Sequence, residues 1–296
     1  MQVIEFGKKL NCPIVLCLGY FGTMHSGHVK LLEVAKQRAR ECGGKVALFT
    51  FSNNHLQVLG RDSTVVYTYP ERLLLYESLG VDVVIATEFS NEFRACTGKQ
   101  FVEQLLASYD LRGVVCGFDY SCGSDRMNCS QLIAQLDGTC SVDVVDAICW
   151  NGEKISTSLI RKLLLEANIS TVNELLSEPY FVTGNVVHGR HVGIALGFPT
   201  ANLQVSSEKL LPIGVFGGLT EIDGKTYRAI INIGQKPTFG LDYVNIEAHI
   251  LNFDGDLYGK TLKLSLTRFL RPICKYSDAN ELVEQLKQDR ERVLND

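Results

Sequence analysis

In the first half of the chain, apolar residues fall into short unbroken runs separated by stretches where they recur every three or four positions. The runs predict strands at residues 14–18, 45–51, 82–86, 113–117 and 141–145. The periodic stretches predict helices at 29–35, 70–79, 101–109, 131–136 and 156–167, with Pro70 and Gly80 as punctuation and Ser156 placed to cap the last. Strands apolar on both faces and alternating with helices imply a parallel sheet covered on both sides, an α/β Rossmann-like arrangement. Ligands in such sheets bind beyond the carboxyl ends of the strands. Segments 19–28, 51–55 and 117–123 all follow strands, so all three are expected to line one crevice.

The pattern changes after Asn168. A short helix at 172–176 leads to Glu178-Pro179, which reads as the end of a linker. Strands then follow one another without helices, at 181–188, 214–222, 227–233, 245–252 and 261–269, with turns such as Asp223-Gly224 and Asp254-Gly255. Alternation across 245–250 puts Glu247 and His249 on the face opposite Ile246, Ala248 and Ile250. Ser277 is expected to cap a final amphipathic helix carrying Leu282, Leu286 and Val293. The expectation is a small β-barrel with a terminal helix, and two domains at 1–168 and 180–296.

Composition narrows the classes. At 46% hydrophobic and 21% charged, with a net charge of −4 and both halves mildly acidic, the chain reads as an ordinary globular protein. It shows no basic face for nucleic acid. Its start is unlike a secretory signal and no apolar run is long enough to span a bilayer, so a cytoplasmic monomer or weak oligomer away from membranes is expected. Nine of the ten cysteines lie at or before Cys149, without a C-x-x-C pair or a zinc pattern. They read as small buried hydrophobes, with Cys116, Cys122 and Cys129 the candidates for redox sensitivity.

The first candidate chemistry lies in Gly19-Tyr20-Phe21-Gly22-Thr23-Met24-His25-Ser26-Gly27-His28. Two imidazoles where a strand passes into a helix can touch phosphate oxygens, because free N–H groups and the helix dipole favour an anion there. Gly27 allows a ligand to approach the backbone. A plain strand-to-helix turn with two surface histidines accounts for the same residues. Neither a G-x-x-x-x-G-K-[ST] loop nor a G-x-G-x-x-G fingerprint is present.

Longer matches decide the matter. The second half carries Val186-Val187-His188-Gly189, Leu196-Gly197-Phe198-Pro199-Thr200-Ala201-Asn202-Leu203, Asn232-Ile233-Gly234 with Pro237-Thr238-Phe239, Glu247-Ala248-His249-Ile250-Leu251-Asn252-Phe253, Asp256-Leu257-Tyr258-Gly259 and Leu270-Arg271-Pro272. Over nearly its whole length the chain resembles the bacterial bifunctional riboflavin kinase/FAD synthetase family. The resemblance implies transfer of a phosphoryl group from ATP to riboflavin in the second domain. Glu247 falls at the family's base position, and Thr200 and Asn202 at its Mg²⁺ and phosphate ligands. Gly184, His188, Gly189 and Gly193 match a flexible segment over the nucleotide, and Asn232 and Arg271 fall at flavin-binding positions. The family usually has arginine where Val192 and Ile194 stand.

For the first domain the resemblance implies adenylylation of FMN to FAD with release of pyrophosphate. His25 and His28 match the pair on the triphosphate, with Gly19, Phe21 and Gly27 beside them. Ser156, Thr157, Ser158 and Arg161 match a second phosphate-binding motif, and Asp119 and Arg126 a loop near the flavin. ATP, riboflavin and FMN are thus the implied small-molecule partners, and Mg²⁺ the implied metal. Two places depart. The family usually reads G-N-F-D-G-V-H-x-G-H, whereas here Gly22 replaces the aspartate and Thr23 the glycine; where P-H-P is usual, Asn53-Asn54-His55 stands. A riboflavin kinase with an impaired first domain, and a flavin- or nucleotide-binding regulator with little catalysis, are the alternative readings.

Overall fold

The computed structural model describes residues 1–61, 64–189, 193, 197–238 and 241–295, without the side chains of 235–238 and 241–243. Val192 and Ile194 therefore lie outside the described residues. The chain divides into two compact units, Met1–Thr157 and Ser158–Asp296.

The first unit is built on β1 (Gln2–Glu5), β2 (Pro13–Leu18), β3 (Lys45–Phe51), β4 (Val83–Thr87), β5 (Asp110–Gly117) and β8 (Ser141–Val145). All six pair in parallel, in the order β1-β4-β3-β2-β5-β8. Helices α1 (Ser26–Cys42), α2 (His55–Val58), α3 (Tyr69–Ser78), α4 (Asn91–Ala95), α5 (Gly98–Ser108) and α6 (Cys129–Leu136) connect the strands. Two-residue hairpins β6–β7 (Ser121–Cys122, Met127–Asn128) and β9–β10 (Cys149–Trp150, Glu153–Lys154) decorate the loops.

Local sequence explains where several helices start. Thr68 with Glu71, Thr97 with Gln100 and Asn128 with Gln131 each form a capping box, so the backbone donors of those first turns are satisfied by side chains three residues apart. One face of the sheet buries Leu16, Leu18, Phe49, Ile85, Val114 and Cys116 against Phe101 and Leu105 of α5 and Leu132 and Leu136 of α6. Connections run outward in opposite directions from β2, which neighbours both β3 and β5. The crevice beyond β2 and β5 is therefore the switch point of the sheet, where such folds receive ligands.

The second unit begins with α7 (Thr157–Leu165), whose first residue closes the first unit, and α8 (Ile169–Leu175). Asn173 ties α8 to the barrel by donating to the Leu266 carbonyl and accepting from the Tyr180 N–H. Strands β11 (Phe181–Val187), β12 (Ala201–Gln204), β13 (Gly214–Ile222), β14 (Lys225–Thr238), β15 (Leu241–Ile250) and β16 (Thr261–Arg271) close antiparallel in the order β11-β12-β15-β14-β13-β16. Leu203, Ile231, Ile233, Ile246, Ala248, Leu264 and Leu266 are fully buried in this unit. Asp223 and Gly224, both at positive φ, make the tight turn between β13 and β14 that the sequence predicts.

Helix α9 (Ala279–Leu294) packs Val293 against Val215, Ile230 and Leu251. Its cap differs from expectation. Asp278, not Ser277, is the N-cap, because its carboxylate accepts from the Asn280 and Glu281 N–H groups at 2.8 and 2.9 Å. Ser277 instead donates both its N–H and its hydroxyl to the Glu281 carboxylate.

Asp289 on α9 is fully buried and grips Arg271 of β16, which donates from Nε and Nη2 to the same oxygen at 2.9 and 2.8 Å. Removing one partner of such a pair leaves the other charge uncompensated. Asp289→Ala should therefore destabilise the protein by about 3–5 kcal/mol. The check is a lowered midpoint in urea unfolding followed by circular dichroism.

Candidate active sites

In the first unit the loop after β2 carries two buried non-glycine residues at positive φ, Phe21 at 53° and Met24 at 45°. Such backbone persists only where surrounding structure holds it. The holder is Arg72 on α3, only 2% exposed. Its Nη1 donates to Thr50 Oγ1 at 2.7 Å and its Nη2 to the Phe51 carbonyl at 2.8 Å. Thr50 in turn donates to the Tyr20 carbonyl at 2.9 Å, and Tyr76 donates to the Phe21 carbonyl at 3.0 Å. The guanidinium also lies 4.9 Å from the centre of the Tyr20 ring.

His25 is the N-cap residue of α1, and its imidazole stacks on that of His28 with centroids 3.8 Å apart. Each ring leaves its buried Nδ1 without a hydrogen-bond partner among the described residues. Burial pushes His25 down to about 4, with a further push from the Lys154 charge. Burial, then His25 and Lys154, hold His28 well below the ordinary imidazole range. Both rings are thus neutral at pH 7, with polar atoms to offer. Gly27 leaves room for His25, since a Cβ there would sit 3.1 Å from the ring. Thr23 Oγ1 lies 3.3 Å from Thr157 Oγ1.

A cavity of about 800 Å³ opens at the ends of β2 and β3, lined by Gly19, Tyr20, Phe49, Phe51, Phe89, Phe93, Phe101 and Tyr120. The segment lacking the usual prolines is held by amides. Asn53 donates to the Phe89 carbonyl and accepts from the Phe89 N–H at 2.8 Å, while Asn54 caps α2 through the Leu56 N–H. His55 packs 4.2 Å from Tyr20, and burial pushes it too down to about 4. Asp119, exposed on the loop after β5, pairs with Lys154. Arg126 is exposed in the β6–β7 turn at φ 55°. Ser156 and Thr157 end the first unit, and Ser158 and Arg161 stand on α7 in the second.

All ten cysteines are free thiols. Cys116 and Cys129 have sulfurs 3.9 Å apart, and Cys129 lies against the carbonyls of Gly117, Phe118 and Tyr120. Burial raises Cys116 and Cys122 and pushes Cys17 up to about 12, so these three sulfurs stay protonated and serve as packing.

The missing carboxylate at Gly22 has a steric counterpart. A Cβ on Gly22 would lie 2.5 Å from Cε1 of Tyr20, where the family's motif has asparagine. The tyrosine ring occupies the space that the aspartate side chain would need.

In the barrel, strand register does the assembling. Glu247 on β15 lies directly between Asn202 on β12 and Asn232 on β14. Their paired positions share the face opposite buried Ile246 and Ala248. Asn245 donates its amide to Glu247 Oε1 at 2.7 Å. Thr200 precedes β12, and His249 Nδ1 lies 2.8 Å from the Pro199 carbonyl. A Cβ on Gly189 would collide with the Asn202 amide nitrogen at 2.2 Å, and one on Gly193 would strike the Phe198 carbonyl at 2.4 Å and lie 3.4 Å from Thr200 Oγ1. Both glycines therefore let the backbone pack closely against the 198–202 segment. Gly184 does not join them: it sits buried within β11, paired with Leu262. His188 stacks on Tyr258 at 3.9 Å, and Tyr258 borders a cavity of about 360 Å³ that also touches Thr200. Arg271 is engaged by Asp289 and so holds α9 on the barrel.

The histidine pair at a helix start suits phosphate oxygens, and the aromatic cavity suits a flat ring. A riboflavin kinase family model matches residues 176–295, and an FAD synthetase family model matches residues 7–159. The bifunctional riboflavin kinase/FMN adenylyltransferase of Bacillus subtilis is 32% identical over 97% of this chain and 93% of its own. That of Listeria monocytogenes is 32% identical over 94% and 90%. The chain belongs to the bifunctional riboflavin kinase/FMN adenylyltransferase family. A solved Streptococcus pneumoniae structure named as a macrolide-efflux protein aligns over 100% of this chain and 99% of its own, at 29% identity and TM-score 0.92. Among the described residues of this chain, no helix is long and apolar enough to cross a membrane.

Sequence reasoning missed Arg72, Tyr20 and Lys154. Lys154 follows the dipeptide Asn151-Gly152, a hairpin signal that would have placed it on a strand. Arg72 lay within a helix pattern that gave no hint of burial.

Two measurements check this geometry. Gly22→Asp alone should cost about 1–3 kcal/mol of stability through overpacking, and Tyr20→Asn in the same chain should recover most of that loss in thermal melts. The neutral histidines fix a pH dependence. On unfolding they regain ordinary pKa values near about 6.5, so below that pH the unfolded chain binds more protons than the folded one. Stability should therefore be flat above about pH 6.5 and fall between there and about pH 4, with a shallower fall in His25→Gln.

Proposed function

We propose that residues 180–296 phosphorylate riboflavin at its ribityl 5′-hydroxyl and that residues 1–168 transfer AMP from ATP to the resulting FMN. The observation that carries the kinase reading is the register of Asn202, Glu247 and Asn232 on three neighbouring strands. Glu247 takes the proton of the hydroxyl as its oxygen bonds to the γ-phosphorus, and the bond to the β–γ bridging oxygen breaks to give ADP. Asn245 orients the carboxylate by donating to Oε1. Thr200 and Asn202 face the nucleotide phosphates, with the backbone of Gly189 and Gly193 packed close beside their segment.

Mg²⁺ fits this donor set. The side-chain oxygens of Thr200 and Asn202 would hold it together with phosphates and water, the hard oxygen ligands that Mg²⁺ takes. When bound, it neutralises charge on the transferring phosphate.

In the first unit the aromatic cavity receives the isoalloxazine, stacked among Tyr20, Phe51 and Phe89. His25 and His28 meet the ATP phosphates at the start of α1, where backbone N–H groups add donors. The FMN phosphate attacks the α-phosphorus and pyrophosphate leaves; no covalent enzyme intermediate is needed, so positioning and charge neutralisation carry the step.

The test is incubation with riboflavin, ATP and Mg²⁺, with FMN and FAD resolved by chromatography. FMN followed by FAD is expected; FMN alone would overturn the adenylyl reading, and neither product would overturn both. Glu247→Gln should lower the FMN-forming rate by about 10²–10⁴-fold at an unchanged melting temperature. Retained turnover would remove Glu247 as the base.

A further inference from the structure

We propose that His249 is a positioning residue of the kinase site, fixing through its Nδ1–H the segment that carries Thr200 and Asn202. The proposal rests on the kinase reading of the second unit.

Strand register places the imidazole. On the outer face of the barrel one row of paired positions runs Asn202, Glu247, Asn232. Two residues further along β15, the next row runs from His249 to Ile230 and Gly217. Helix α9 covers the far end of that second row: Val293 packs on Ile230, and a Cβ on Gly217 would lie 3.3 Å from the Val293 side chain. His249 therefore stands between the covered part of the sheet and the start of β12, on the face that Glu247 shares.

Pairing of β12 with β15 begins at Ala201 opposite Ala248, so Pro199 and Thr200 precede the first paired position. Proline has no N–H, which leaves its carbonyl as the one backbone group by which that residue can be held. His249 Nδ1 lies 2.8 Å from this carbonyl. A carbonyl only accepts, so Nδ1 carries the proton and Nε2 is left as the acceptor. Burial holds the ring below the ordinary imidazole range, opposed by the Pro199 carbonyl and aided by the Arg290 charge on α9, so this neutral tautomer is the form at pH 7. The ring also meets Phe198 edge to face at 5.3 Å, and the Phe198 N–H donates to the Gly193 carbonyl at 2.8 Å. Thr200 directly follows the residue so gripped. One strand thus carries both the base, Glu247, and the donor that sets the phosphate-facing oxygens against it. In-line phosphoryl transfer depends on that spacing, because small misplacements of oriented groups cost rate.

Two substitutions in the full chain separate the hydrogen bond from packing. In His249→Asn the amide nitrogen falls where Nδ1 stood and can still donate to Pro199. In His249→Gln it falls where Nε2 stood and misses the carbonyl, although glutamine fills more of the space. With riboflavin and Mg·ATP as substrates and FMN as the product measured, His249→Gln should raise the KM for Mg·ATP about five- to tenfold and leave that for riboflavin within about twofold. His249→Asn should keep both within about twofold. Without substrates, backbone amides of residues 200–204 should exchange hydrogen faster in His249→Gln than in the unsubstituted chain, and at the unsubstituted rate in His249→Asn. An unchanged Mg·ATP KM or unchanged exchange in His249→Gln would overturn this role alone. So would greater damage from asparagine than from glutamine, or an equal rise in the riboflavin KM. Absence of FMN from the unsubstituted chain would overturn the kinase reading and this role with it.

Discussion

The first unit depends on one buried cation. Arg72 is enclosed among aromatic rings, and among the described residues no carboxylate pairs with it. Its solvation is replaced by oxygens of the site loops and their support: the Phe51 carbonyl directly, and the Thr50 hydroxyl, which itself holds the Tyr20 carbonyl. A buried charge with such partners is expensive to move, so the loops that bond it are held in one arrangement. The left-handed backbone at Phe21 is tied into the same network, since Tyr76, which neighbours Arg72 and Thr50, donates to its carbonyl. The aromatic cavity has the same origin, since Tyr20 and Phe51 are among its walls.

The barrel achieves order differently. Closure leaves no edge strand along which register could slip, and the apolar residues inside fix the alternation of β12, β14 and β15. Glu247 comes abreast of Asn202 and Asn232 as a consequence of packing Ile246 and Ala248 on the opposite face. The same transverse row continues through Val215 to Arg271, where Asp289 anchors the terminal helix. Chemistry and stability thus share one line of residues across the outer surface.

Much of this was legible in the sequence because hydrophobic period reports burial. Strands 45–51, 141–145 and 214–222 appear with the bounds that periodicity gives them, and Glu247 with His249 stands opposite the apolar face as alternation requires. The missed elements are those that alternation does not mark. Strand β1 is short and mostly exposed at the sheet edge, and β12 is four residues carrying a polar pair. The histidine pair was visible as a motif, but its burial and neutrality are tertiary properties. Asn53 and Asn54 looked like losses of proline rigidity; the structure shows amide hydrogen bonds in its place. Ser277 and Asp278 are equivalent cap candidates by type, and only geometry separates them.

The close approach of Tyr20 to Gly22 also bears on which substitutions this loop accepts. A side chain at the second position and the ring at the first claim the same volume. Substitution at either position therefore changes what the other can hold: a larger residue at 22 costs stability while the ring stands against the Arg72 guanidinium, and far less once the ring is gone.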